Sequence, residues 1–368
     1  MIKVLHILTD ATLGGAGRVL IQFLRAVDRS RFEIVVAVPS GSELVSLVEE
    51  QGFRVIETQK GHDRSMERGA VAEYRKIIRA ERPDIVHTHA SFAGKLAAFL
   101  CGVRGRIYTR HCVFEMPRKL KTFPGKQLNG LVNNTLATAI IAVAHAAKDN
   151  LVEIGIDPKK IQVIINGVEP MKQLTDEEKA AFRAKCGIAE KEFICLISAR
   201  LEEYKGHSYL IDTAELLRNE KIRFIIMGDG SCRQALEQKV QALGLEEKVL
   251  FTGFVSDVVP YCNISDLSLN CSYGTEASSI ALAEGMSLGK PTVATDFGGN
   301  PYMVTNGKNG FLVPQKDAEA MAEAIMKIYR DPAYYQALSE GALEEYQEKF
   351  TARAMTAQME ELYENQLK

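Results

Sequence analysis

The chain has no apolar run approaching the roughly 18 residues that a membrane-crossing helix needs. Its start, MIKVLHILTDATLGGAG, runs straight into a buried-strand pattern, without the basic head and cleavage site of a secretory leader. Both absences point to a cytosolic protein. The seven cysteines (Cys101, Cys112, Cys186, Cys195, Cys232, Cys262 and Cys271) are odd in number and form no CxxC pair, which argues against a disulfide framework or a structural zinc site. Cys195, inside FICLIS, reads as a buried inert thiol. No low-complexity tract, short repeat or nucleic-acid motif occurs. No Ser–His–Asp set stands out by spacing, so hydrolytic chemistry has no support either.

What is present is the composition of a globular protein, 46% hydrophobic and 25% charged over 368 residues, a length that suits two domains. VLHIL, FEIVVAV, FRVIE, DIVHTH, GRIYTR, AIIAVA and IQVII read as strands, with amphipathic stretches such as GRVLIQFLRAVD and AVAEYRKIIRAE between them. After a polar helical segment at Thr175–Cys186 the alternation restarts with FICLIS, RFIIMG, KVLFTG, LSLNCS, PTVAT and GFLVP. Strand–helix alternation means parallel sheets covered on both faces. Two Rossmann-like domains follow, 1–170 and 171–350, with a closing helix at 351–368 for which the N-terminal domain is one docking place.

The net charge of −2 hides an asymmetry, since residues 1–170 carry 24 Lys/Arg against 17 Asp/Glu and the remainder 21 against 30. Arg104, Arg106, Arg110, Arg118, Lys119, Lys121 and Lys126 are opposed only by Glu115. Such a run suits an anionic membrane surface or a phosphate-bearing acceptor; a solvated basic face explains it equally well.

Several segments can carry chemistry. Glu276 and Glu284 stand eight positions apart, where a loop becomes a helix. Eight helical residues rise about 12 Å, near the span between the two rings of a sugar nucleotide. A helix start between the carboxylates would aim free N–H groups at a diphosphate. Ser278 and Ser279 are good capping residues there. Arg200 and Lys205, after the strand FICLIS, can grip two phosphate groups at the carboxyl end of a sheet. Gly228 and Asp229 in IIMGDGS, and Phe254 in LFTGFVSDV, occupy similar strand ends. Gly15, in a GGAG turn opening a helix, permits close approach of a phosphate. GGAG is not GxGxxG, however, and the second strand lacks an acid for a dinucleotide ribose, so a dehydrogenase is poorly supported. His87, His89 and His111 lie at the ends of adjacent strands; His87 and His89 share a face, without the further ligands a metal needs.

Taken in order, LGGAGRVL, DIVHTH, YTRHCVF, IAVAHAAKDNL, VIINGVEP, SARLEEYKGHSYLI, IMGDG, FTGFVSDV and EASSIALAEGMSLGKPTVATDFGGNP resemble the retaining GT-B glycosyltransferases of family 4 nearly end to end. The resemblance implies an α/β GT-B fold, two Rossmann-like domains facing an interdomain cleft, and no cofactor or metal beyond a nucleoside diphosphate sugar, with uridine the commoner base. It places Arg200 and Lys205 on the departing diphosphate, Glu276 by the transferred sugar, Glu284 on the ribose and Gly15 over the phosphates. His111 would stand near the sugar and acceptor, with His89 on the acceptor side. The implied acceptor is a glycan or lipid-linked glycan of cell-surface polysaccharide synthesis, reached from the cytoplasm or the inner membrane face. Two departures occur: Tyr302 stands where an acid is common, and Ala277-Ser278-Ser279 where many relatives carry glycine and an apolar residue or proline. A nucleotide-sugar epimerase of the same fold and a non-catalytic nucleotide-sugar-binding protein are the alternatives. The first would act with no acceptor present, and the second would bind donor without turnover.

Overall fold

A computed structural model of the chain describes residues 1–113 and 115–368; Phe114, the last residue of YTRHCVF, lies outside them. The first sheet contains β1 (Ile2–Leu8), β2 (Phe32–Pro39), β3 (Arg54–Thr58), β4 (Ile85–His89), β5 (Gly105–Arg110), β6 (Ala139–Ala142) and β7 (Ile161–Val163). The second contains β8 (Phe193–Ser198), β9 (Ile222–Met227), β10 (Val249–Gly253), β11 (Leu267–Asn270), β12 (Thr292–Thr295) and β13 (Gly310–Val313). The thirteen strands coincide with the β-branched runs expected from the sequence. Neighbours pair in parallel, in the orders β3-β2-β1-β4-β5-β6-β7 and β10-β9-β8-β11-β12-β13. Strand order reverses between β1 and β4 and between β8 and β11. Doubly wound sheets open a crevice at such a point, beyond the strands' carboxyl ends.

Two compact units result: Met1–Val168 with Thr351–Lys368, and Glu169–Phe350. In the first, the helix Gly15–Ala26 turns Val19, Leu20, Phe23 and Leu24 inward. In the second, Ile197, Phe224, Ile226 and Leu269 of the sheet meet Leu210 and Ile211 of the helix His207–Leu216. Thr175 and Glu178 form a reciprocal capping box on the helix Asp176–Lys185, satisfying two of its free N–H groups.

The closing helix, Ala352–Asn365, packs against Gly15–Ala26. It buries Met355, Met359, Leu362 and Tyr363, while Glu360 accepts from the Asp28 amide at 2.8 Å and pairs with Arg31 at 3.2 Å. Among its buried polar residues Glu360 meets specific partners, whereas the Thr356 hydroxyl has none among the described residues. The long helix Pro332–Lys349, which the sequence reading passes over, completes the second unit.

Candidate active site

At the reversal point of the second sheet, β8 and β11 each release a loop. Gly206 lets the two loops meet: its φ is +75°, and a Cβ there would sit 2.0 Å from the Cys271 carbonyl oxygen. The Tyr273 amide donates to the Tyr204 carbonyl at 2.9 Å and ties them together. Lys205 Nζ consequently lies 3.0 Å from Glu276 Oε2 and 3.1 Å from the Thr275 carbonyl. Asn270 Nδ2, at 2.9 Å, and Ser272 Oγ, at 3.1 Å, donate to the same oxygen. Three donors on Oε2 hold the carboxylate in one orientation, and among the described residues Oε1 stays outside this network. Both side chains are mostly buried, 15% and 10% exposed. Gly298 supports the loop from below: its φ is +60°, and a Cβ would come within 2.2 Å of the Glu276 carbonyl oxygen.

The helix Ile280–Ser287 begins between Glu276 and Glu284, as the sequence suggests, with Ser279 as its cap. Residues 276–279 are not helical, so only half of the eight-residue interval rises as helix. The 12 Å helical span is therefore not the separation of the two carboxylates. Ser279 Oγ accepts from the Leu282 amide at 3.4 Å, so that hydroxyl is occupied by the cap. The first amides of the helix, at Ile280 and Ala281, have no intrahelical partner and make a positive pole. Ser278 and Glu284 are buried beside them in sequence.

The other expected residues of this unit stand separately. Arg200 is exposed, its Nη2 3.0 Å from the Tyr204 hydroxyl, and it has no bond to Lys205 or Glu276. Gly228 has a structural reason of its own, since a Cβ there would fall 2.1 Å from the Ala199 carbonyl oxygen. Asp229 is exposed and accepts from the Gly230 amide at 2.8 Å, a turn contact. Phe254 is exposed just beyond β10. His207 is buried directly after Gly206, and among the described residues neither ring nitrogen has a partner. Burial pushes its pKa down to about 4.

In the first unit the same topological position carries imidazoles. His6 of β1 and His87 of β4 are register partners. A chain of contacts runs from His111 Nε2 to His89 Nδ1 (2.8 Å), from His89 Nε2 to His6 Nδ1 (3.0 Å) and from His6 Nε2 to the Tyr363 hydroxyl (3.3 Å). It continues to His87 Nδ1 (2.7 Å) and from His87 Nε2 to Thr109 Oγ1 (2.6 Å). His6, His87, His89, Thr109 and Tyr363 are buried, and His111 is half-buried. Desolvation lowers the pKa of His6 to about 3 and of His111 to about 4, and holds His87 and His89 well below 6.5, so the rings are neutral at pH 7. His89 is thereby corrected as a candidate for touching an acceptor, because both of its nitrogens are engaged inside the protein.

Nitrogens of His6, His87 and His89 lie within 4.8 Å of one another. His89 nevertheless stacks on His87 at 26° and on His6 at 20°, and all six nitrogens of the three rings are already hydrogen-bonded. His6 and His87 are tilted at 43°, and an ion here would have to displace hydrogen bonds already made at each ring.

Gly15 is the exposed first residue of its helix, and a Cβ there would meet nothing within 4 Å. The basic run does not form one face. Arg104 donates to the Leu367 carbonyl (2.6 Å), Arg106 to those of Leu136 and Val103 (2.9 and 2.7 Å) and Arg110 to that of Cys112 (3.1 Å), while Lys121 pairs with Glu153 (2.9 Å). Arg118, Lys119 and Lys126 remain outside these internal contacts, beside exposed Phe123 (81%), Leu128 (63%) and Leu131 (67%).

Residues 178–345 match the family model for glycosyl transferases group 1, and residues 13–172 that for glycosyltransferase family 4. The chain belongs to the group 1, family 4 glycosyltransferases. It is 25% identical over 343 residues to an Escherichia coli UDP-Gal:alpha-D-GlcNAc-diphosphoundecaprenol alpha-1,3-galactosyltransferase, covering 90% of this chain and 88% of that one. To the N-acetyl-alpha-D-glucosaminyl L-malate synthase of Bacillus anthracis it is 23% identical, covering 78% and 76%. Among solved structures, Anabaena HepE in complex with UDP superposes with a TM-score of 0.85 at 22% identity, covering 99% of this chain and all of that one. A glycosyltransferase from Rickettsia africae superposes at 0.86 and 23%, covering 100% and 99%. The fold is GT-B.

For this glycosyltransferase, sequence reading names Lys205 and Glu276 but not their pairing, which depends on β8 and β11 being neighbours. Asn270 and Ser272 are missed, although both follow directly from LSLNCS ending as a strand. Lys95, buried in the helix Phe92–Leu100, is also missed. Its Nζ donates to Asn133 Oδ1 at 2.6 Å, and burial lowers its pKa to about 8. No helix of the described chain is long and apolar enough to cross a membrane.

Proposed function

We propose that this glycosyltransferase moves a sugar from a uridine diphosphate sugar to a hydroxyl of a glycan or lipid-linked acceptor, with retention at the anomeric carbon, in cell-surface polysaccharide synthesis. The observation that carries the reading is the Lys205–Glu276 pair at the reversal point of the second sheet, next to a capped helix start. The acceptor class is supported by the undecaprenol-linked substrate in the name of the Escherichia coli relative, and the base by UDP in the HepE complex.

In this reading the second unit holds the donor. The amides of Ile280 and Ala281, Lys205 and the exposed head of Arg200 face the diphosphate, where negative charge develops as the anomeric C–O bond breaks. Glu276 Oε1 takes a hydroxyl of the transferred sugar, and Glu284 the ribose. Gly228, Asp229 and the Phe254 ring line the base end, with Ser278 and Ser279 contributing backbone amides to the phosphates. At Gly15 neither a positive φ nor packing requires glycine, which supports a phosphate-facing role for its backbone. The acceptor oxygen attacks the anomeric carbon from the face the phosphate leaves. The bonding pair departs with the diphosphate, whose oxygen takes the hydroxyl proton. Arg200 and Lys205 supply the positive charge this step needs, the basis for a metal-independent reaction.

The test is turnover of uridine diphosphate hexoses with and without a diphospholipid-linked glycan, with the product's anomeric configuration read by NMR. Product only with acceptor, of unchanged configuration and insensitive to chelator, is expected. Conversion of nucleotide sugar alone would favour the epimerase, and inversion would remove the mechanism.

A specific observation also favours docking on an anionic membrane. Phe123 and Leu128 border a groove shared with Phe92, Leu120 and Val132, and Lys119 lies on its rim. Apolar side chains flanked by cations match an interface of acyl chains and acidic headgroups. Flotation with phosphatidylglycerol vesicles but not phosphatidylcholine vesicles is expected, weakened by Leu128→Asp with Leu131→Asp. Equal binding to both vesicle types would end this part of the reading.

A further inference from the structure

The six buried or half-buried groups running from His111 to Thr109 form a single file, each bonded only to its neighbours in the file through the atoms concerned. A neutral imidazole has one donor and one acceptor nitrogen, and a hydroxyl has one hydrogen. Such a file can therefore run with all bonds toward His111, with all bonds away from it, or with Tyr363 accepting from both His87 and His6; the last leaves the buried phenol hydrogen without an acceptor and is excluded.

Thr109 decides between them. The residue is 3% exposed, and among the described residues the one partner of its hydroxyl is His87 Nε2, at 2.6 Å. Were His87 the donor, the Thr109 hydroxyl hydrogen would be buried with no acceptor. Thr109 Oγ1–H therefore donates to His87 Nε2, and the remaining bonds follow in turn. His87 Nδ1–H donates to the Tyr363 oxygen, Tyr363 O–H to His6 Nε2, His6 Nδ1–H to His89 Nε2 and His89 Nδ1–H to His111 Nε2. The hydrogen of His111 is left on Nδ1, the nitrogen outside the file.

We propose that Thr109, His87, Tyr363, His6 and His89 act as positioning residues that fix the tautomer of His111, so that its ring presents an Nδ1–H donor to a ligand oxygen. His111 is then a hydrogen-bond donor to a sugar hydroxyl or phosphate oxygen, not a base. The assignment of a ligand to His111 rests on the function proposed above, whereas the tautomer order does not. A metal at His6, His87 and His89 is the competing use of these nitrogens.

The experiment is a two-bond 1H–15N correlation spectrum of the full-length protein labelled at histidine, near neutral pH. All four rings are expected in the Nδ1–H form. Thr109→Val, which removes the hydroxyl and keeps the shape, should shift His87, His6, His89 and His111 toward Nε2–H, and Thr109→Ser should restore the original pattern. Tyr363→Phe breaks the file at its middle; kcat should fall about tenfold with the donor KM unchanged. An Nε2–H signal for His111 in the unaltered protein overturns the proposal. So does an unchanged pattern in Thr109→Val, or stoichiometric zinc in elemental analysis of the purified protein. Because the spectrum is read without turnover, an inactive preparation that shows the expected pattern would sink the glycosyl-transfer reading and leave the tautomer file standing.

Discussion

The two units share a plan and treat polar groups at the same topological place in opposite ways. Where β1 meets β4, the first unit buries neutral imidazoles, each satisfied by the next. Where β8 meets β11, the second unit places an ammonium against a carboxylate, keeps one carboxylate oxygen outside the contact and leaves Arg200 in solvent. A neutral file costs little to bury once every atom is paired, whereas a buried charge pair is retained for what it does to a ligand. The comparison teaches that a parallel doubly wound sheet supplies the location, and the residue types at four strand ends decide whether it stores order or charge.

Acid should separate the units most. His6 has a folded pKa of about 3 against about 6.5 unfolded. Above pH 6.5 it is neutral in both states and contributes no pH dependence. As the pH falls toward 3 the unfolded chain binds a proton that the folded chain refuses, so stability falls by about 1.4 kcal/mol per pH unit for each such histidine. His87, His89 and His111 shift in the same direction, while the second unit has only His207 so displaced. Hydrogen exchange at pH 4.5 should show the first unit opening well before the second; equal loss would erase the contrast.

Charge removal comes next. Lys205→Ala is expected to lower kcat about 10²–10³-fold and to destabilise the protein by about 3 kcal/mol, because Glu276 is left buried without its cation. Urea unfolding and turnover would report both, and Lys205→Met with Glu276→Leu should recover stability but not activity.

Gly298→Ala forces a side chain into a left-handed position against the Glu276 carbonyl and should cost about 2 kcal/mol, with a parallel loss of turnover. At the small end, Gly15→Ala meets open space and should change stability by less than about 0.5 kcal/mol while raising the donor KM. If its KM is unmoved, the open space at Gly15 has no ligand to serve.

The strands were legible because β-branched runs mark them directly, and the helix start between Glu276 and Glu284 because Ser279 is a good cap. The helix Pro332–Lys349 carried a signal that could have been used: Tyr334, Leu338, Ala342 and Tyr346 recur every fourth residue. The histidine file was not legible. His6 looks like an apolar strand's exception until β1 is known to lie beside β4, and Tyr363 is 276 residues from its partner His87. Likewise the basic run from Arg104 to Lys126 reads as one patch, because sequence does not show which guanidiniums are spent on backbone carbonyls.

That the last helix belongs to the first unit has a consequence for synthesis. A ribosome delivers residues 1–168 long before residues 352–365, so the nascent first sheet emerges with His6 and His87 lacking the phenol that joins them. The first unit therefore reaches its final form only after residues 352–365 have been made, and a chain stopped near residue 350 would fail in the part that was made first.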